Sequence, residues 1–166
     1  LEPGESVRLK ADATNLAAAY TVSGSRGSEL LAVLNTRLNK SMQQLDSLSR
    51  IYRAKKNDPD FGETRYQLDK TYQEIFHEHQ QFVMDFIEEN PHSLASIIAL
   101  YQYFGNRLVL KESEHFHFFD LLSTTLYENH SSNRHVLELR RRVNEISRQE
   151  SLKREAAENL QPGMPA

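Results

Sequence analysis

The stretch that decides the fold covers residues 61–86, "FGETRYQLDKTYQEIFHEHQQFVMDF". Its apolar positions return at alternating steps of four and three residues, which is the heptad pattern of a helix that packs along one side. The pattern predicts one long helix, and the repeating positions are Phe61, Arg65, Leu68, Tyr72, Ile75, His79, Phe82 and Phe86. Further apolar residues widen the same face, so we expect later helices to cover it: Phe76, Val83, Met84 and Ile87.

A second amphipathic helix precedes this one. Leucines from Leu31 to Leu48, followed by Tyr52, repeat with the same spacing, and Ser28 is the expected N-cap. The segment "KKNDPDFG" interrupts the pattern at Pro59, which cannot continue a helix. Two long helices joined by a short loop predict an antiparallel hairpin. The shared heptad seam is equally compatible with an interface between two subunits.

Three shorter helices are predicted after the hairpin. They cover residues 93–104, ended by Gly105, then roughly 111–129, and then about 132–150 or beyond. The pattern of residues 89–100 recurs at 128–139, which is the length of a two-helix solenoid repeat. The alternative interpretation is that helix hairpins of similar length resemble one another.

The N-terminal segment has a different period. Apolar residues alternate with polar ones at Val7, Leu9 and Ala11, and again at Leu16, Ala18, Tyr20 and Val22. This alternation predicts two antiparallel strands. A lone hairpin is marginal in water, so we expect it either to pack on the helices or to be the end of a truncated β-domain. The opening "LEPGES", a turn before a strand, favours the truncated domain. The prediction is a mainly α fold with an N-terminal β-hairpin, divided into residues 1–24 as the β-domain end, 25–150 as the helical domain and 151–166 as a linker into a missing domain.

Composition excludes some chemistry. The chain has 166 residues, a formal net charge of -3 and no cysteine. Without cysteine it has no disulfide, thiolate ligand or catalytic thiol. The slightly acidic balance does not favour nucleic acid as a partner. No apolar run approaches the roughly 18 residues that span a bilayer, so we expect no direct membrane insertion.

The histidines are the first candidates for a metal site. His77 and His79 form one H-x-H pair, and His115 and His117 form another. Residues two apart on a helix point in nearly opposite directions, so neither pair can share one ion. "HEHQQ" resembles the H-E-x-x-H zinc signature, but Gln81 stands where the second histidine is needed. We expect His79 to be a hydrogen-bonded structural residue, and one of His115 and His117 to lie at the core boundary with the other in solvent.

Other candidates have simpler explanations. The "SGSRGS" run lacks the lysine of a phosphate-binding loop and reads as a strand-to-helix turn. Glu88 and Glu89 have no matched acid nearby. The basic cluster at residues 140–142 flanks a buried stripe at Val136, Leu139, Val143 and Ile146, and is balanced by glutamates. The sequence therefore assigns no catalytic, cofactor-binding or metal-binding residue and implies no cofactor.

Three segments of the sequence resemble parts of one known class of proteins. "YTVSGS" leading into a helix resembles the end of the small N-terminal β-domain of bacterial envelope thioredoxin-like proteins, and "FIEENPHSLASIIALYQ" resembles their intervening helical region. The closing "PGMPA", at residues 162–166, is similar to the first residues of the redoxin domain in ResA/TlpA-like and AhpC/TSA-type proteins.

The resemblance implies a parent thiol-disulfide oxidoreductase whose W-C-x-x-C motif lies beyond residue 166. It further implies a periplasmic or cell-envelope location, with a lipid anchor on a removed N-terminal segment as one option. The expected function is that of a non-catalytic accessory domain that positions the C-terminal thioredoxin-like domain or its protein substrate, or that mediates a homodimer. The alternative is a stand-alone helical module, like a short α-solenoid, that binds a protein partner.

Overall fold

The computed structural model describes residues 6–11 and 20–159. Within these residues the fold is mainly α, as predicted, with five helices and two short antiparallel hairpins. The helices are α1 Arg26–Lys55, α2 Phe61–Glu89, α3 Ala95–Leu100, α4 Glu112–His130 and α5 Arg134–Asn159. The strands are β1 Arg8–Ala11, β2 Tyr20–Ser23, β3 Tyr103–Phe104 and β4 Arg107–Leu108.

Helices α1 and α2 form the predicted antiparallel hairpin. Near its tip the rings of Tyr52 and Phe61 meet edge to face with centroids 5.2 Å apart. Farther from the tip, the hydroxyl of Ser41 lies 3.3 Å from the ring of His79. Contacts between residues early in one helix and late in the other require antiparallel packing. The heptad seam therefore serves an intramolecular hairpin along its length.

The hydrophobic core lies at one end of this hairpin. We call residues 26–43 and 73–89 the inner half and residues 44–72 the outer half. The inner half supplies fully buried side chains such as Leu34, Val83 and Ile87, which pack with α3, α4 and α5. The outer half contributes no buried residue. The expectation that later helices cover α2 is therefore confirmed only for its inner half.

The cover over α2 ends at a specific contact. The buried ring of Phe104 meets Phe76 at a centroid distance of 5.6 Å and Tyr72 at 6.2 Å. Arg107 adds its guanidinium 3.6 Å from the centroid of the Phe76 ring. Phe104 and Arg107 belong to the small β3–β4 hairpin, and no residue of α2 is buried beyond this contact toward the tip.

The helix predicted over residues 93–104 is wrong in its second half. Helix α3 ends at Leu100, and a tight hairpin of β3 and β4 follows, with Gly105 at φ +64 in its turn. The backbone leaves the helix because the side chain of Gln102 turns inward to bond His79, and because the ring of Phe104 fills the core. Tertiary contacts override the local helical pattern here.

Helix ends differ from the predicted positions. Helix α1 is capped by Ser25, whose hydroxyl accepts from the Ser28 amide at 3.4 Å, so Ser28 lies inside the helix and is not its cap. Helix α5 begins at Arg134 after Asn133, whose side-chain oxygen accepts from two amides of the first turn. It continues to Asn159, into the segment predicted as a linker.

The N-terminal hairpin of β1 and β2 is confirmed as antiparallel, with Leu9 opposite Val22. Leu16 and Ala18, which contribute to the predicted alternation, and residues 162–166, which carry the resemblance to a redoxin domain, lie outside the described residues. The repeat suggested for residues 89–100 and 128–139 does not extend to helix length, because α3 is a short helix and α5 a long one.

Candidate interaction surface

A groove about 530 Å³ in volume runs along the outer half of the hairpin. Its floor is formed by apolar and aromatic seam residues of both helices, and single charged residues stand at its edges. The lining residues are Leu45, Leu48, Ser49, Tyr52 and Arg53 on α1, and Leu68, Asp69 and Tyr72 on α2. The groove is thus the continuation of the core seam beyond the point where the core ends.

The groove exists because the heptad seam between α1 and α2 extends farther toward the tip than the elements that cover its inner half. Leu48 and Leu68 are half-buried, although the residues one heptad away in the inner half, Ser41 and Ile75, are buried. Tyr52 is 45 % exposed. A continuous strip of partly exposed apolar side chains is typical of a surface that binds another molecule.

A buried polar cluster marks the boundary between the two halves. Nε2 of His79 lies 2.8 Å from Oε1 of Gln102, and Nδ1 lies 3.3 Å from the Ser41 hydroxyl. Because an amide oxygen only accepts, Nε2–H donates to Gln102, and Nδ1 accepts from Ser41. The predicted structural role of His79 is confirmed, and the cluster joins α1, α2 and the segment after α3.

Burial lowers the pKa of His79 below its ordinary value, and the positive charge of Arg37 lowers it further, against the hydrogen bond with Gln102. Arg37 is held by Glu78, with an N···O distance of 3.7 Å, and lies over the ring of Phe82. Neutral His79 therefore fits its surroundings and charged His79 does not. All three members of the cluster are buried, so they have no access to a substrate.

The other histidine pair is arranged as predicted. His115 is partly buried and sits at a kink in α4, with φ -129. Its Nδ1 accepts from the Lys111 amide at 3.1 Å. His117 is exposed and its ring lies 3.9 Å, centroid to centroid, from that of Phe118. In residues 6–11 and 20–159, no group of three or more histidines and carboxylates is placed to hold a metal ion.

The remaining candidates have structural roles. In the basic cluster, Arg140 lies over the Tyr127 ring, Arg141 pairs with Glu138, and Arg142 donates to Glu112 of α4 through Nε and Nη2. The run "SGSRGS" forms the junction between β2 and α1, where the Gly24 amide donates to Glu29 at 3.2 Å. Glu88 and Glu89 are exposed at the end of α2.

The groove was missed by sequence reasoning, although its residues were correctly placed on the seam. A heptad pattern shows which face of a helix packs, but it does not show how far along the helix a third element reaches. The one available signal was composition: residues 44–60 contain few large apolar side chains outside the seam.

Across residues 20–159, none of the helices combines the length and the apolarity needed to cross a bilayer. Comparison of the chain with protein-family models, with curated proteins and with solved structures finds no match in any of the three.

Proposed function

We propose that this chain is a non-catalytic helical accessory domain that binds protein and positions a neighbouring thioredoxin-like domain or that domain's protein substrate. The observation that carries the binding role is the exposed apolar groove on the outer half of the hairpin. A hairpin that is anchored in a core at one end and exposed at the other presents such a surface away from the body.

The thioredoxin-like neighbour is supported by the sequence resemblance alone. In the "YTVSGS" segment, Gly24 and Ser25 have definite roles at the strand-to-helix junction, because one adopts φ +95 and the other caps α1. A motif with such a physical requirement is a stronger basis for resemblance than matching composition. A periplasmic or envelope location belongs to the same proposal and depends on the same segments.

The coding sequence beyond Ala166 tests the identity of the neighbour. We expect a W-C-x-x-C motif within one small domain, on the order of 100 residues. A stop codon or an unrelated sequence there would overturn this part of the proposal.

The binding role is tested in the longer protein by Leu48→Asp, with Leu152→Asp on the exposed side of α5 as the matched control. A charge in the groove should slow reduction of a protein substrate by about tenfold or more, as loss of an interface anchor does. Reduction of a small disulfide should not change. Equal rates for both variants on the protein substrate would contradict the role of the groove.

A second function, that of a stand-alone interaction module, is favoured by the groove as well. The two functions differ in the partner that the groove binds, and both predict that Leu48→Asp weakens binding while Leu152→Asp does not. They are separated by the coding sequence beyond Ala166.

A further inference from the structure

In the inner half of the hairpin, the chain itself fills the space between α1 and α2. The chain leaves α2 at Glu89, yet Gln102 bonds His79 and Phe104 meets Phe76, so the segment from α3 to β3 runs back along the seam toward the tip. Helix α3 contacts both α1 and α2, and five of its six residues are buried. The element that covers the seam here is therefore a short helix.

The groove begins where this segment turns away. Tyr72, which lines the groove, meets the ring of Phe104 at a centroid distance of 6.2 Å. After Phe104 the chain turns at Gly105 into β4, which runs antiparallel to β3. The seam continues toward the tip with Leu48 and Leu68 half-buried. The same two helices thus present the same heptad seam without the third element that packs on its inner half.

The dimensions of the groove match one helix. On α1 the groove extends from Leu45 to Arg53, about 12 Å at 1.5 Å per residue. About two to three turns of a helix cover that length, with an axis roughly 8–10 Å from those of α1 and α2. The volume of about 530 Å³ is in the range of cavities that enclose several apolar groups. One helix placed here lies in line with α3 and stays on the tip side of the β3–β4 hairpin.

The two walls of the groove carry opposite charges. On the α1 wall, Nε of Arg53 donates to the backbone carbonyl of Ser49 at 3.1 Å, which holds the guanidinium along the groove. On the α2 wall, Asp69 contacts Arg65 at 3.8 Å, and both side chains are mostly exposed. Because such an exposed pair contributes little, Asp69 can pair with a cation of a partner. A helix between the walls is therefore favoured by an acidic residue on one flank and a basic residue on the other.

We propose that the groove binds one amphipathic α-helix of a protein partner, with apolar residues on the floor and charges of opposite sign on its two flanks. The acidic flank faces Arg53 and the basic flank faces Asp69. This inference rests on the binding role proposed above and names the form of the partner. The helical form follows from the way α3 fills the inner half, and the charge pattern follows from the two walls.

Synthetic helical peptides of about 18 residues on an alanine background test the proposal with the intact chain. All carry leucine at i, i+4, i+7 and i+11, which forms one apolar stripe. The mixed peptide has glutamates on one flank of the stripe and lysines on the other, and two further peptides have lysine or glutamate on both flanks. Because the chain contains no tryptophan, a single tryptophan in each peptide reports binding through its fluorescence anisotropy.

The wild type should bind the mixed peptide best. We expect a dissociation constant on the order of 10–100 μM, since the contact is smaller than a standard interface. The lysine-flanked and glutamate-flanked peptides should each bind about threefold or more weakly. A mixed peptide with a central proline, which breaks the helix, should bind about tenfold or more weakly. Leu48→Asp should weaken binding of the mixed peptide by about tenfold or more, and the control Leu152→Asp should not change it.

Charge reversal in the walls gives the sharpest result. Arg53→Glu makes both walls acidic and should prefer the lysine-flanked peptide, whereas Asp69→Arg makes both walls basic and should prefer the glutamate-flanked peptide. Arg148→Glu, on the exposed side of α5, changes the net charge as much as Arg53→Glu does and should keep the wild-type order. A loss of folding lowers every affinity and cannot exchange these preferences.

Three results would each overturn the proposal. The first is a wild type that binds none of the peptides at about 1 mM. The second is equal binding of the mixed peptide and its proline version, because the groove would then accept an extended chain. The third is the same order of preference in the wild type, Arg53→Glu and Asp69→Arg.

Failure here is distinguishable from failure of the proposed function. If the peptides bind in the predicted order but Leu48→Asp leaves reduction of a protein substrate unchanged, the helix-binding site stands and the positioning role does not. If Leu48→Asp slows that reduction but no peptide binds, the groove binds a protein that presents no helix, and the positioning role alone stands.

Discussion

At the scale of single residues, His79 is strongly constrained by its surroundings. It is buried, both ring nitrogens are hydrogen-bonded, and Arg37 is the charged group that acts on it electrostatically. Its role was predictable from the sequence because it occupies a seam position. Its partners were not, because Ser41 and Gln102 lie 38 and 23 residues away in the chain.

The lowered pKa of His79 predicts that the protein loses stability in mild acid. In the unfolded chain the histidine binds a proton near its ordinary pKa of 6.5, whereas in the folded protein it resists protonation. The unfolded state therefore binds more protons below pH 6.5. The contribution of His79 is fully present above that pH and is lost as the pH falls toward the folded pKa, at up to about 1.4 kcal/mol per pH unit.

Urea unfolding of the wild type and of His79→Gln, measured between pH 5 and 7.5, checks this expectation. The variant should show a flatter pH dependence in that range. His117→Gln, which removes an exposed histidine, should keep the wild-type slope. A wild type whose unfolding free energy rises as the pH falls would contradict the assigned role.

Gly24 is the second residue with a strict requirement. It adopts φ +95, and a side chain there would collide with the backbone carbonyl of Ser6. Gly24→Ala should therefore lower the free energy of unfolding by about 1–2 kcal/mol. Gly62→Ala is the control: it lies in the first turn of α2 with open space around it and should raise stability by about 0.4–1 kcal/mol. Thermal unfolding of both variants checks the difference, and equal shifts would contradict it.

At the scale of elements, the periodicity of apolar residues predicted the long helices but did not predict the short β3–β4 hairpin. The α1–α2 hairpin follows from the heptad spacing and Pro59. The β3–β4 hairpin has two residues in each strand, too few to show an alternation, and its residues continue an apolar run that looks helical. The path of the chain there depends on Phe104 and Gln102 entering the core, which is a tertiary effect.

The cap of α5 is a prediction at this scale. The side-chain oxygen of Asn133 accepts from the amides of His135 at 2.9 Å and Val136 at 3.4 Å. Asn133→Ala should cost about 1 kcal/mol of stability by leaving both donors without this acceptor. Ser132→Ala, one residue earlier, should change stability by less than about 0.5 kcal/mol. Chemical unfolding measures the loss of unfolding free energy in each variant. An equal loss in Asn133→Ala and Ser132→Ala would show that the cap contributes nothing.

At the scale of the whole molecule, the chain is divided between a packed body and a projecting hairpin tip. The seam that holds α1 to α2 is continuous, but only its inner half is covered by α3, α4, α5 and the β3–β4 hairpin. The sequence predicts the seam because the heptad spacing is a local pattern within each helix. It does not predict where the cover ends, because that position depends on contacts between residues far apart in the chain.

Local stability should be lower in the outer half of the hairpin than in the inner half. Helix segments with few buried contacts open more readily, so amides of residues 44–72 should exchange with solvent faster than those of residues 75–87 in dilute protein. Uniform exchange along both helices would contradict the division.

The central claim is that the groove on the outer half of the hairpin is the surface through which the chain binds protein. The most direct test compares Leu48→Asp with the control Leu152→Asp in the longer protein, by the rate at which each variant reduces a protein disulfide. We predict that only Leu48→Asp slows this reduction, by about tenfold or more, while reduction of a small disulfide is unchanged. Equal rates for the two variants on the protein substrate would contradict the claim.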